Sequence, residues 1–293
     1  HSWKLDILME QIKFYRPEII YLQNLEPMPY WFLQRIKDIF PFVRKVLAFK
    51  GNLPNRVHEL TGIDHIFAGH PDIYIDCKNN GLSSELFYHS FDERVLSLLS
   101  QWEQRNITET NPFSFIGYSG FGGYGNCHNE RYKLLRSLIQ NTEINIWTSE
   151  GSNIPNSELP KNSKPLFTEY PNRCKKGLFG IPFYSLINNS DIILNKHAEI
   201  CNGNVGNMRL FETTGVGTCL LTDSGSNMND LFEPDEEVVT YSSEDELLQK
   251  LKFLNDNQSI RESIAKAGQK RTLKDHSLKL RCHQISEVLR KIL

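Results

Sequence analysis

Residues able to do chemistry concentrate in two loops of this 293-residue chain. The first reads Gly117-Tyr118-Ser119-Gly120-Phe121-Gly122-Gly123-Tyr124-Gly125-Asn126 and follows the apolar run Phe113 to Gly117. Glycine tolerates positive φ and lets a ligand approach the backbone, so amides here can point at phosphate oxygens. Gly122, Gly123 and Tyr124 are its candidate ligand contacts, and the plainer alternative is a flexible connector. Gly120 to Gly125 also spells G-x-G-x-x-G, the dinucleotide fingerprint. The acid expected after the next strand is missing from Asn145-Ile146-Trp147-Thr148, with Glu150 the nearby carboxylate. No Gly-Lys-Ser/Thr triplet follows, so this is not a P-loop.

The second loop runs from Lys196 and His197 through Asn204 to Gly206, between a strand and a helix that opens at Asn207. Gly206, Asn207 and Met208 would present amides at a helix N-terminus, which is an anion site. Lys196 and Arg209 add positive charge suited to a diphosphate. Glu212 lies one turn further on and could accept two hydrogen bonds from a ribose diol. The bland alternative pairs Glu212 with Arg209 at i, i+3 on a solvated face.

Elements that would position these loops alternate along the chain. A helix from Trp3 to Phe14 precedes a buried strand at Glu18 to Leu22, then a helix at Tyr30 to Ile39 and strands at Val43 to Phe49 and Ile63 to Ala68. A helix at Asp92 to Glu103 ends this series before the polar run Asn106 to Pro112. A second series follows: strands at Phe113 to Gly117, Glu143 to Trp147, Asp191 to Asn195, Cys219 to Thr222 and Glu233 to Tyr241 alternate with helices. The Pro-, Asn-, Ser- and Lys-rich stretch from Thr148 to Gly180 reads as surface loop. Ser243-x-x-Glu246 spells a capping box, and two further helices end the chain. Alternation of this kind predicts parallel sheets with helices on their faces.

Composition narrows the class. Lys plus Arg total 33 against 35 Asp plus Glu, so the charge balance of -2 gives no electrostatic footprint for a nucleic acid. No apolar run approaches the roughly 18 residues of a membrane span. None of the six cysteines forms a C-x-x-C pair, and they read as reduced thiols of a cytoplasmic protein.

The segment from Asn207-Met208-Arg209-Leu210-Phe211-Glu212 to Thr222-Asp223 resembles the donor-site segment of GT-B glycosyltransferases. Leu231 to Val239 and Ala267 to Ser277 resemble the ending of the same enzymes, nearest the bacterial family-4-like and spore-maturation-type groups. The likeness is specific from about Phe113 onward, and Ile19 to Asn24 resembles a strand of the N-terminal domain. It implies an α/β protein of two facing Rossmann-like, doubly wound domains. The first is expected to be incomplete, because relatives carry a strand and loop before the helix that opens this chain. The expected divisions are an acceptor-side domain over 1–108, a nucleotide-sugar-binding domain over 112–275, and a C-terminal helix over 276–293 packing back on the first.

By the same resemblance, Glu212 matches the ribose carboxylate, and Gly206, Asn207 and Met208 match the helix start beneath the diphosphate. The family often has an acid eight positions before that glutamate. Asn204 stands there instead, which alters sugar-ring recognition but allows a hydrogen bond to a sugar hydroxyl. In the first domain, Asn24, Lys50 and His70 are the catalytic candidates at strand ends, with Glu26 beside them. His70 is of the residue type that most often serves as a general base, and Lys50 sits where related enzymes place a cleft-facing polar residue. The implied activity moves a sugar from a nucleotide-diphosphate sugar to a hydroxyl of a glycan, lipid-linked or protein acceptor, in surface polysaccharide or glycoconjugate synthesis. The nucleotide sugar is a co-substrate; no separate cofactor and no metal are expected. Peripheral membrane contact fits such an acceptor. The alternatives are an NAD-linked oxidoreductase using Gly120 to Gly125 and a silent nucleotide-sugar-binding scaffold.

Overall fold

Strand alternation and helix periodicity in this chain resolve into two α/β units. The computed structural model describes residues 3–293 except 26–27, 52–56, 105–109, 123–126, 150–158 and 161. Contacts group residues 1–88 with 282–293 as the first unit and 89–281 as the second.

The first unit contains α1 (Trp3–Tyr15), β1 (Ile19–Leu22), α2 (Tyr30–Ile39), β2 (Lys45–Lys50), β3 (His65–Ala68), α3 (Pro71–Asn79) and β4 (Ser84–Leu86). Among the described residues its sheet is parallel and ordered β1-β2-β3-β4. Successive strand side chains point to opposite faces. Val46, Ala48, Ile66 and Ala68 therefore share a core with Leu33, Ile36 and Ile73. Leu47 and Phe67 point the other way and pack on Val288 of the chain's last helix. The sequence pattern does not show α3. Pro71 supplies its first turn, and the His70 side chain caps it by accepting from the Asp72 N–H at 3.3 Å.

The second unit contains α4 (Arg94–Glu103), β5 (Asn111–Ile116), α5 (Asn129–Asn141), β6 (Asn145–Thr148), α6 (Leu166–Glu169), β7 (Cys174–Lys176), α7 (Ile181–Asn188) and β8 (Ser190–Asn195). It continues through α8 (Met208–Val216), β9 (Cys219–Asp223), α9 (Met228–Leu231), β10 (Val239–Tyr241), α10 (Glu244–Asp256) and α11 (Gln258–Asp275). The last helix, α12 (Leu278–Ile292), starts here and runs into the first unit. The sheet order is β10-β9-β8-β5-β6-β7, all parallel.

Three local features differ from the sequence reading. The stretch 148–180 is not only loop: α6 and the three-residue edge strand β7 form within it, burying Leu166 and Cys174. A strand of Cys-Lys-Lys is too short to show alternation. Helix α4, expected within 1–108, belongs to the second unit, where Glu103 accepts from the side chains of Asn188 and Asn189 at 3.0 and 2.7 Å. The capping box forms across one extra residue: Ser243 Oγ accepts from the Glu246 N–H, and Glu246 Oε2 accepts from the Ser242 N–H.

Candidate donor site

The order of the second sheet reverses between β5 and β8. Counted from β5, it is the 3-2-1-4-5-6 winding whose ligands bind at the carboxyl ends of the strands beside the reversal. The glycine loop leaves β5 there, and the Lys196 loop leaves β8 next to it.

The opening of α8 is held by several hydrogen bonds. The Asn207 side chain accepts from the Leu210 N–H at 3.3 Å, as an N-cap residue does. Its amide nitrogen donates to Asn195 Oδ1 at 2.9 Å, fixing the cap to the end of β8. The N–H groups of Gly206 and Asn207, two of the amides expected for a diphosphate, donate to His197 Nε2 at 3.2 and 3.4 Å. His197 Nδ1 lies 2.7 Å from Asp223 Oδ1. Lys196 Nζ lies 3.3 Å from Asp223 Oδ2. Burial opposes ionisation of Asp223, but the hydrogen bonds from His197 and the charges beside it hold the carboxyl below its usual range. Asn204 is buried, and its Oδ1 accepts from Ser226 Oγ at 2.9 Å. A polar cavity of about 190 Å³ opens beside Lys196, Asn204 and Asp223. That is below the ~300 Å³ at which ligand pockets begin, so it would take part of a ligand rather than a whole nucleotide sugar.

Arg209 and Glu212 pair as the bland alternative supposes, at 2.6 Å, but not on a solvated face. Their side chains are 17% and 11% exposed. Arg209 Nε also donates to the Ile116 carbonyl at the end of β5, at 3.1 Å, and the guanidinium lies over the Phe183 ring. Burial pushes the Glu212 carboxyl up, and Arg209 opposes that shift. Burial pushes the nearby Tyr184 hydroxyl up to about 12, with the Glu212 charge adding to it. The outcome is a cation and a carboxylate fixed at the sheet reversal, beside the helix opening. Met208 is 55% exposed there.

The glycine loop is built for close approach. Gly120 has φ +100°, and a Cβ on it would fall 2.2 Å from the His128 carbonyl oxygen. Gly122 has φ +71°. Gly123 and Tyr124, the other two expected contacts, lie outside the described residues, as does Glu150. Arg131 at the start of α5 ties the two loops together. It donates to the Tyr118 carbonyl at 3.2 Å and, through its other terminal nitrogen, to the Lys196 carbonyl. β6 ends at Thr148, so the acid of a dinucleotide site has no counterpart among the described residues at that strand end.

Against this geometry, the family model for glycosyl transferase-like domains matches residues 131–287, just over half of the chain. The chain belongs to this family. It is an enzyme of the glycosyltransferase type, and its parallel α/β units have the GT-B architecture. No curated protein matches it in sequence. Among solved structures it is similar to sucrose-phosphate synthase from Thermosynechococcus elongatus, with 11% identity, 97% of this chain and 77% of that chain covered, and a TM-score of 0.66. HepE from Anabaena, solved with UDP-glucose, gives 12%, 98%, 81% and 0.68. An alpha,alpha-trehalose-phosphate synthase (UDP-forming) from Burkholderia xenovorans gives 10%, 98%, 78% and 0.67. At such identities the likeness establishes the fold.

The structure of this glycosyltransferase thus collects Gly122, Lys196, His197, Asn204, Gly206, Asn207, Met208, Arg209 and Glu212 at one edge of the second sheet. Asn24, Lys50 and His70 belong to the first unit, at or just beyond the carboxyl ends of β1, β2 and β3. Asp223 and Arg131 are absent from the sequence-derived candidates. Asp223 carried a usable signal, since it is the last residue of β9 and so stands on the same edge. Arg131 carried none, because both of its carbonyl partners lie on other loops.

Proposed function

We propose that this enzyme takes a nucleotide-diphosphate sugar in the second unit and transfers the sugar to an acceptor hydroxyl. The carrying observation is the buried Arg209–Glu212 pair at the sheet reversal, beside the opening of α8. Glu212 accepts from the ribose diol. Arg209, Lys196 and the backbone at Met208 stabilise negative charge as the nucleoside diphosphate departs, which is the electrostatic requirement of the reaction. Asn204 borders the cavity where a sugar hydroxyl would be recognised, and the backbone at Gly122 approaches the phosphates. HepE having been solved with UDP-glucose supports a nucleotide sugar as the donor class.

The first unit is assigned to the acceptor. Lys50 and Asn24 are its polar candidates; His70 joins them, although its Nδ1 serves the cap of α3. A glycan, lipid-linked or protein acceptor in surface polysaccharide or glycoconjugate synthesis, in the cytoplasm, completes the proposal. No described helix is long and apolar enough to cross a membrane.

Calorimetry with UDP, GDP, dTDP and NAD tests the donor half. One nucleoside diphosphate should bind, and Glu212→Gln should weaken it about ten-fold, the loss of about 1.4 kcal/mol. Binding of NAD alone, or equal affinity in the variant, would refute the assignment.

A further inference from the structure

His197 cannot meet a ligand as the structure stands. It is 4% exposed and both ring nitrogens are engaged within the protein. Nε2 faces the N–H groups of Gly206 and Asn207, which can only donate. Nε2 therefore carries the lone pair and Nδ1 the proton, which Asp223 accepts. One tautomer satisfies every partner. Asp223 is fixed in turn, because its two oxygens also accept from the His197 backbone N–H at 3.0 and 3.1 Å. The end of β9, the loop after β8 and the opening of α8 thus form one closed circuit of hydrogen bonds.

That circuit sorts the amides at the helix start. His197 Nε2 takes residues 206 and 207, and the Asn207 side chain takes 210. Among the described residues the N–H groups of Met208 and Arg209 have no acceptor. They are the pair a helix N-terminus can direct at an anion. We infer that His197 is a positioning residue. It holds the Gly206–Asn207 turn closed and so sets where the Met208 and Arg209 amides and the Arg209–Glu212 pair meet the donor. The donor half of this inference rests on the function proposed above.

The test uses wild type, His197→Ala and His197→Gln, the last keeping a neutral side chain able both to donate and to accept. Amide hydrogen exchange at Gly206 and Asn207 is read by NMR, and UDP is the calorimetric probe. Protected amides are expected in wild type and exchanging ones in His197→Ala. Its Kd for UDP should rise about ten-fold, with His197→Gln restoring most of that loss. Unchanged or tighter UDP binding by His197→Ala overturns the inference, as tighter binding would make the imidazole a plug. If His197→Ala does not fold, rapid exchange of the Gly206 and Asn207 amides in wild type overturns it. If wild type binds no nucleoside diphosphate, the proposed function fails. The amide exchange then still decides whether His197 holds the turn, with rapid exchange in wild type rejecting it.

Discussion

Glu212 and Arg209 serve each other before they serve any ligand. Glu212 is buried and Arg209 is largely enclosed beside it, so removing one leaves an uncompensated charge, which costs about 3 kcal/mol or more. Glu212→Ala is therefore expected to lower unfolding free energy by about that amount. Glu212→Gln, which keeps an acceptor for the guanidinium, should cost less. Chemical denaturation of the two variants measures the difference, and equal losses would mean the carboxylate charge does not matter to the fold. Glu212 was legible in the sequence because its spacing from Gly206 is local. Its burial was not, since Phe183 and the Ile116 carbonyl reach the Arg209 side chain from distant segments.

Among elements, α8 shows how closely the site is packed from behind. Its Gly215 sits against Phe91, and a Cβ there would approach the ring to 2.2 Å. One position earlier, Thr214 hydrogen-bonds Thr272 of α11 at 2.6 Å. An aromatic ring enclosed in a core cannot swing aside as a surface chain can. Gly215→Ala should therefore cost about 2 kcal/mol by overpacking, seen as a lower denaturation midpoint with an unchanged slope. Helices with a local signature were readable: α2 and α10 follow from apolar spacing and a capping box. α6 and β7 were not, because four residues and three are too few to show a period.

For the molecule as a whole, two tests address the two units separately. His276 is buried between Phe211 and Phe232, with Nε2 donating to the Leu231 carbonyl at 2.9 Å. Burial, aided by Arg281 and Arg271, pulls its pKa down from 6.5 to about 4. The unfolded chain then binds a proton that the folded chain refuses, so stability is full above about pH 6.5 and falls as the pH drops toward 4. The loss amounts to about 3 kcal/mol. His276→Gln should flatten that part of the stability profile; an unchanged profile would place the acid sensitivity elsewhere. In the first unit, Val288 lies on Leu47 and Phe67. Val288→Asp puts a carboxylate into that contact and should speed hydrogen exchange in β2 and β3 while β5 and β8 keep their protection. Equal loosening of both sheets would contradict separate cores.

What the sequence determined by itself is what short-range physics controls. The alternation of strand and helix, the glycine loop, the helix opening at Asn207 and the i, i+3 relation of Arg209 to Glu212 all lie within a few residues of chain. Tertiary structure decided what depends on partners far away. The sheet reversal between β5 and β8 unites loops about 80 residues apart, and Asp223 reaches back 26 positions to His197. That second contact turned an expected ligand residue into the acceptor that holds the helix opening. A hydrogen bond across such a distance leaves no periodic trace in the chain, because it is set by which strand ends become neighbours.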